Sequence, residues 1–217
     1  MSLIKFEGIT KTFKTQSETL FKFQNNNQSP HKSLYNYIDG EIERGDFIHL
    51  TGANGSGKTT LLKIIGGIIR PDQGNITYTT RGVAIFEDSV FHPELTLEEN
   101  FHLFTGLNGI SKKRSKELYR RFQETSKWIS SFQSKYLSLS QGQRSLFALE
   151  ASLLLNPSLL ILDEPFANMD GTNRAKAFEE IKRYAESGGA VILTSHPAEG
   201  IAAQKKWKLE NEELHFL

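Results

Sequence analysis

The sequence predicts an α/β protein with a mainly parallel sheet core and a helical lobe inserted into it. Three observations carry that expectation. Apolar runs of strand length alternate with stretches whose apolar residues recur at helical spacing. A glycine-rich turn over residues 52–60 joins one such strand to the next helix. A largely helical middle then separates two strand-rich parts, which gives one domain over residues 1–217: core over 1–88 and 156–217, lobe over 89–155.

In chain order, residues 3–9 read as an early strand and 16–32 as a polar loop, marked by Asn25, Asn26 and Asn27. A strand over 47–51 leads through the glycine-rich turn into a helix over 58–69, where Leu61, Leu62, Ile64, Ile65 and Ile68 recur and Pro71 enforces the stop. Strands follow over 74–80 and 83–87, and residues 97–155 are largely helical. The run 158–163 is almost wholly apolar, as expected of a strand covered on both faces of a parallel sheet. A helix over 172–186 packs with Phe178, Ile181 and Tyr184 or Ala185, and Gly188-Gly189 ends it. Residues 190–195 form another buried strand, and 207–210 with 213–217 close as a small hairpin.

Composition sets bounds. The chain is 38% hydrophobic and 24% charged, enough for one substantial core. A net charge of +1 gives no broad pull toward nucleic acid or a membrane surface, and Lys112-Lys113-Arg114 is read as a solvated run. The absence of cysteine excludes disulfides and thiolate metal sites and suits a cytosolic compartment. No apolar run approaches the ~20 residues of a spanning helix, so a membrane role requires a partner chain.

The chemistry begins at Gly52-Ala53-Asn54-Gly55-Ser56-Gly57-Lys58-Thr59-Thr60. Wrapping a triphosphate takes many donors aimed at one small volume, and glycines let successive amides curl round it without a Cβ in the way. The helix that follows adds its dipole and its unpaired N–H groups. Lys58 would reach the β- and γ-phosphates, Thr59 would ligate the bridging Mg²⁺, and Thr60 would add a donor. This predicts a P-loop NTPase that binds ATP or GTP.

A second element, Leu159-Leu160-Ile161-Leu162-Asp163-Glu164-Pro165, brings two carboxylates to the carboxyl end of a buried strand, where ligands of open α/β sheets gather. Asp163 is suited to hold Mg²⁺ through its water shell. Glu164 could orient the attacking water or accept its proton.

With these elements in order, the sequence resembles the ATP-binding cassette (ABC) ATPases over nearly its whole length. Leu139-Ser140-Gln141-Gly142-Gln143 is similar to the family's LSGGQ signature, Ala167-Asn168-Met169-Asp170 to its D-loop, and His196 to its switch histidine. Phe13 stands where the family places an aromatic on adenine. The resemblance implies an N-terminal antiparallel β part and a head-to-tail dimer of two such domains, most simply a homodimer. In that dimer Ser140, Gln141, Gly142, Gln143 and Asp170 contribute to the nucleotide site, and His196 works with Glu164. It further implies a separate transmembrane permease, and hence a peripheral position on the cytoplasmic face of the membrane.

Each residue also has a plainer reading. Ser140 could cap the helix through Leu146, Leu149 and Leu153, Asp170 could cap the helix after it, and Tyr35 or Tyr37 could replace Phe13. Three positions depart from the family pattern. Glu87 stands where the Q-loop glutamine ligates Mg²⁺, Gln141 replaces a glycine, and Glu150 replaces a frequent arginine. These are expected to retune rate or coupling. The function expected is ATP hydrolysis driving a membrane-spanning partner. The alternatives are a soluble ABC ATPase acting on nucleic acid or ribosomes, disfavoured by the near-neutral charge, and a weakly hydrolysing regulatory module.

Overall fold

The computed structural model describes residues 1–14, 31–80, 82–86, 91–167, 169–195 and 201–217. Three strands, β1 (Ser2–Lys14), β2 (His31–Glu43) and β4 (Gln73–Tyr78), form an antiparallel sheet in the order β2-β1-β4. The central sheet takes β3 (Phe47–Gly52), β5 (Val83–Ile85), β6 (Leu159–Leu162), β7 (Ala190–Thr194), β8 (Lys205–Glu210) and β9 (Glu213–Phe216) in the order β5-β6-β7-β3-β8-β9. Its first five strands run parallel, and only β9 pairs antiparallel.

Burial on both faces follows from the period of two. Leu159 and Ile161 face a cluster with Leu61, Leu62, Ile64 and Ile65 of α1 (Lys58–Ile65) and the apolar residues of β1 and β2. Leu160 and Leu162 face the opposite cluster, built on α4 (Gln141–Leu154), α5 (Gly171–Glu186) and the helical middle. Thus the antiparallel sheet and α1 cover one face, and the other helices cover the second.

The middle contains α2 (Leu97–Leu107), α3 (Lys112–Thr125), a 3₁₀ turn over Tyr136–Ser138 and α4. Rings knit it together: Phe101 stacks on Phe122 at 4.9 Å, and Phe147 meets Phe91 and Phe122 edge-on at 5.2 Å. Residues 126–135 and 139–140 lack the helix expected across this stretch, yet Trp128, Ile129 and Phe132 still pack on the core.

Two further expectations are corrected. α1 ends at Ile65 rather than at 69, because Gly66 caps it and Gly67 turns at φ +71, leaving Ile68 exposed. The glycine pair acts before Pro71 can. The polar loop expected over 16–32 loses its last two residues to β2, a strand the periodicity did not reveal; the rest of that stretch lies outside the described residues. The reason is Gly40, which breaks the apolar alternation because a Cβ there would enter the Phe6 ring, together with the irregular register of β1 on β2. The C-terminal hairpin forms as expected, its two-residue turn placing Asn211 and Glu212 at φ +51 and +67.

Candidate functional site

β3 delivers the chain into the glycine-rich turn at the carboxyl end of the central sheet. Gly52 adopts φ +153, and a Cβ there would lie 2.5 Å from the Leu209 carbonyl oxygen and 2.8 Å from Ser56 Oγ. Gly55 turns at φ +75 with open space where a Cβ would point, and Gly57 opens α1 at φ +104. The Ser56 amide donates to the Ala53 carbonyl at 3.1 Å, closing the turn. Lys58 arches back over it and donates to the carbonyls of Gly52 and Ala53 at 2.9 and 3.1 Å.

α1 differs from the other described α-helices at its N-terminus. Thr96, Ser111, Ser140 and Asp170 each cap a helix with a side-chain oxygen, whereas Gly57 offers none to α1. The amides that begin α1 have no helical acceptor, since the ladder starts with Leu61 donating to the Gly57 carbonyl at 2.8 Å. Ser56 Oγ is buried without a hydrogen-bond partner. Such a cradle of free donors, with a cation folded over it, fits a phosphate chain.

Beneath the cradle lies Tyr35, which the sequence offered only as an alternative to Phe13 on adenine. The buried Tyr35 phenol donates to the Gly57 carbonyl at 2.5 Å. Burial pushes the phenol pKa far above its usual value, so this donor stays protonated. Thr60 lies in the first turn of α1, where its amide has no helical acceptor.

Asp163 and Glu164 leave β6 beside the helix that carries Thr59. One cleft of about 1110 Å³ is lined by Thr59, Asp163, Glu164, Gln141 and Arg144. Thr194, at the end of β7, donates its hydroxyl to Asp163 Oδ1 at 2.6 Å and accepts the Glu164 amide at 2.9 Å. Glu164 itself sits at φ +48. No cluster of three or more His, Cys, Asp or Glu side chains stands ready for a metal among the described residues. A cation held by Thr59 and Asp163 would take its other ligands from phosphate and water, which is how Mg²⁺ is commonly bound.

Ser140 is the N-cap of α4 in a reciprocal box with Gln143: its Oγ accepts the Gln143 amide at 3.2 Å, and its amide donates to Gln143 Oε1 at 2.9 Å. Its hydroxyl proton can still be donated. Gln141 and Gly142 lie in the first turn of α4 with no positive φ, so that turn requires no glycine at 141. Asp170 caps α5, accepting the Asn173 amide at 2.9 Å, and this bond first of all holds its carboxyl below the usual range. Phe13 is half-exposed with Lys11 Nζ 5.5 Å from its ring centre, and Tyr37 is exposed; Tyr35 is committed beneath the loop and is not free to stack on a base. Glu150 is buried, accepting hydrogen bonds from Ser126 and Trp128 with Lys176 at 3.7 Å. Glu87, Asn168 and His196 lie outside the described residues.

The family model described as ABC transporter matches residues 35–167, more than half of the chain. The chain belongs to the ABC transporter family. Among curated relatives, this cassette is 28% identical over 201 residues to the teichoic acids export ATP-binding protein TagH of Bacillus anthracis, covering 89% of the chain and 36% of TagH. It is 33% identical to the sulfate/thiosulfate import ATP-binding protein CysA of Caulobacter vibrioides, covering 76% and 53%. It is 28% identical to the cytochrome c biogenesis ATP-binding export protein CcmA of Escherichia coli, covering 80% and 87%. The cassette thus spans about a third of TagH and half of CysA. Among solved structures, the ATP-binding cassette MJ0796 bound to ADP and Pi superposes with a TM-score of 0.81 at 20% identity, over 98% of this chain and 96% of that one. The fold is that of an ATP-binding cassette.

Proposed function

We propose that this chain is the ATP-binding and ATP-hydrolysing subunit of an ABC transporter, driving a separate membrane-spanning partner through ATP-dependent head-to-tail dimerisation. One observation carries the reading: the uncapped start of α1 opens on the same cleft as Asp163 and Glu164. Free amides, a folded-over lysine and two carboxylates on one cleft are the parts that triphosphate hydrolysis uses.

When bound, Mg²⁺-ATP supplies the phosphoanhydride to be cleaved and the cation that offsets its charge. The amides of residues 52–60 wrap the phosphates, and Lys58 exchanges its loop carbonyls for phosphate oxygens. Thr59 and Asp163 hold the cation, while Glu164 accepts the proton of the attacking water. Ser140 and Gly142, at the capped start of α4, cover the nucleotide of a second copy, and His196 contacts its terminal phosphate. The helical middle receives the permease, which keeps this subunit on the cytoplasmic face of the membrane.

Titration of the purified chain with a fluorescent ATP analogue, with and without Mg²⁺, tests this. Saturable uptake that Lys58→Ala weakens at least tenfold supports it. Absence of uptake, or uptake indifferent to Lys58→Ala, overturns it.

A further inference from the structure

We propose that Thr194 is the positioning residue of the cleft: its one hydroxyl holds Asp163 and Glu164 in their relative arrangement and thereby sets metal affinity and turnover. The consequence for turnover rests on the ATPase reading, but the arrangement itself does not.

β7 consists of four buried apolar residues followed by Thr194, which is 0% exposed. A hydroxyl at such a place is costly unless both its proton and its lone pairs are used. Here both are, and in a sense that cannot reverse. A carboxylate can only accept, so the proton goes to Asp163 Oδ1 at 2.6 Å; an amide can only donate, so the lone pair receives Glu164 N at 2.9 Å. The second bond falls on a residue at φ +48, a region that side chains larger than glycine avoid. The Asp163 amide donates to the Ile85 carbonyl at 3.0 Å, and the Ala167 amide to the Glu164 carbonyl at 3.0 Å. The acidic pair is therefore clamped between the ends of β5 and β7. The next residue, Ser195, shares a 2.8 Å hydrogen bond with the buried His49 on β3, the strand that enters the glycine-rich turn. Two consecutive hydroxyls thus tie the end of β7 to the carboxylates on one side and to the strand that leads into the glycine-rich turn on the other.

Groups that orient metal ligands typically alter metal affinity or activity by about 10–100-fold when removed. Thr194→Val keeps the shape and deletes the hydroxyl, whereas Thr194→Ser keeps the hydroxyl. In ligand-free protein, Thr194→Val should accelerate hydrogen exchange of the Glu164 amide at least tenfold while amides of β3 keep their protection. With ATP present, its Mn²⁺ affinity, read by electron paramagnetic resonance, and its kcat should fall about 10–100-fold. Binding of ATP in the absence of a divalent cation should stay within about twofold, since the cradle is untouched. Thr194→Ser should restore all three to within about threefold. Unchanged Glu164 protection in Thr194→Val, or a serine variant as impaired as the valine one, overturns the proposal. If the valine variant fails to fold, Thr194→Cys, with its weaker thiol donor, should fall between wild type and that prediction; wild-type behaviour of the cysteine variant overturns it. A wild-type chain that takes up no Mn²⁺-ATP refutes the ATPase reading alone, and the Glu164 amide still decides the clamp.

Discussion

The Tyr35 phenol donates to the Gly57 carbonyl at 2.5 Å, so the antiparallel sheet reaches under the glycine-rich turn and holds the residue that opens α1. A Cβ at Gly57 would stand 3.0 Å from the same ring, so the contact is one of shape as well as of hydrogen bonding. Tyr35→Phe keeps the ring and removes the donor. It should cost about 1 kcal/mol of stability, measured by urea unfolding, and weaken ATP uptake.

The same residue makes a pH prediction. Burial raises the Tyr35 pKa in the folded chain, so above the unfolded value of about 10 the folded state retains a proton that the unfolded state has lost. The contribution is fully present below that pH and is lost as pH rises beyond it. Unfolding curves between pH 9 and 11.5 should show stability falling more steeply for wild type than for Tyr35→Phe, by up to about 1.4 kcal/mol per pH unit.

Gly52 and Gly55 should respond differently to alanine. At Gly52 the new methyl meets the Leu209 carbonyl oxygen at 2.5 Å, in addition to the backbone cost of φ +153. Gly52→Ala should therefore lose about 2 kcal/mol or more. At Gly55 the methyl meets nothing, and only the left-handed backbone is penalised, by about 1–2 kcal/mol. Thermal unfolding of the two variants should rank them in that order.

In the proposed mechanism, Glu164→Gln removes the proton acceptor without disturbing the cradle. Turnover should fall by about 10²–10⁴ while ATP binding persists. Size-exclusion chromatography with Mg²⁺-ATP should then show a stable dimer; a monomer that still binds ATP would contradict ATP-driven dimerisation.

Glu150 tests the departure from the family's arginine. It accepts from the buried Ser126 hydroxyl and from Trp128 Nε1, so Glu150→Leu strands both donors at about 1–3 kcal/mol. Glu150→Gln preserves one acceptor and should cost less. Glu150→Arg sets a cation among donors and beside Lys176 and should be the least stable, with Trp128 fluorescence reporting each transition.

Much of this was written in local order along the chain. The run 159–162 is apolar at every position, and a strand with both faces covered needs nothing else to be recognised. The phosphate turn likewise declares itself, because glycines, Lys58 and Thr59 must be contiguous to surround one ligand. The end of α1 was legible too, in Gly66-Gly67, but Pro71 concealed it. β2 was not, since Gly40 serves the Phe6 ring on another strand and so interrupts the pattern that marks a strand.

Spacing and residue type alone therefore determined the α/β class and picked out the glycine-rich turn and the acidic pair, each being a local pattern imposed by backbone geometry. Tertiary packing alone decided what holds them. Tyr35 lies 22 residues from Gly57, and Thr194 lies 31 from Asp163 and 30 from Glu164. A tyrosine in a strand or a threonine at a strand's end has no distinctive pattern around it. Its role exists only once parallel pairing brings β7 beside β6 and the antiparallel sheet closes under α1, because hydrogen bonds act over three ångströms however far apart their partners lie along the chain.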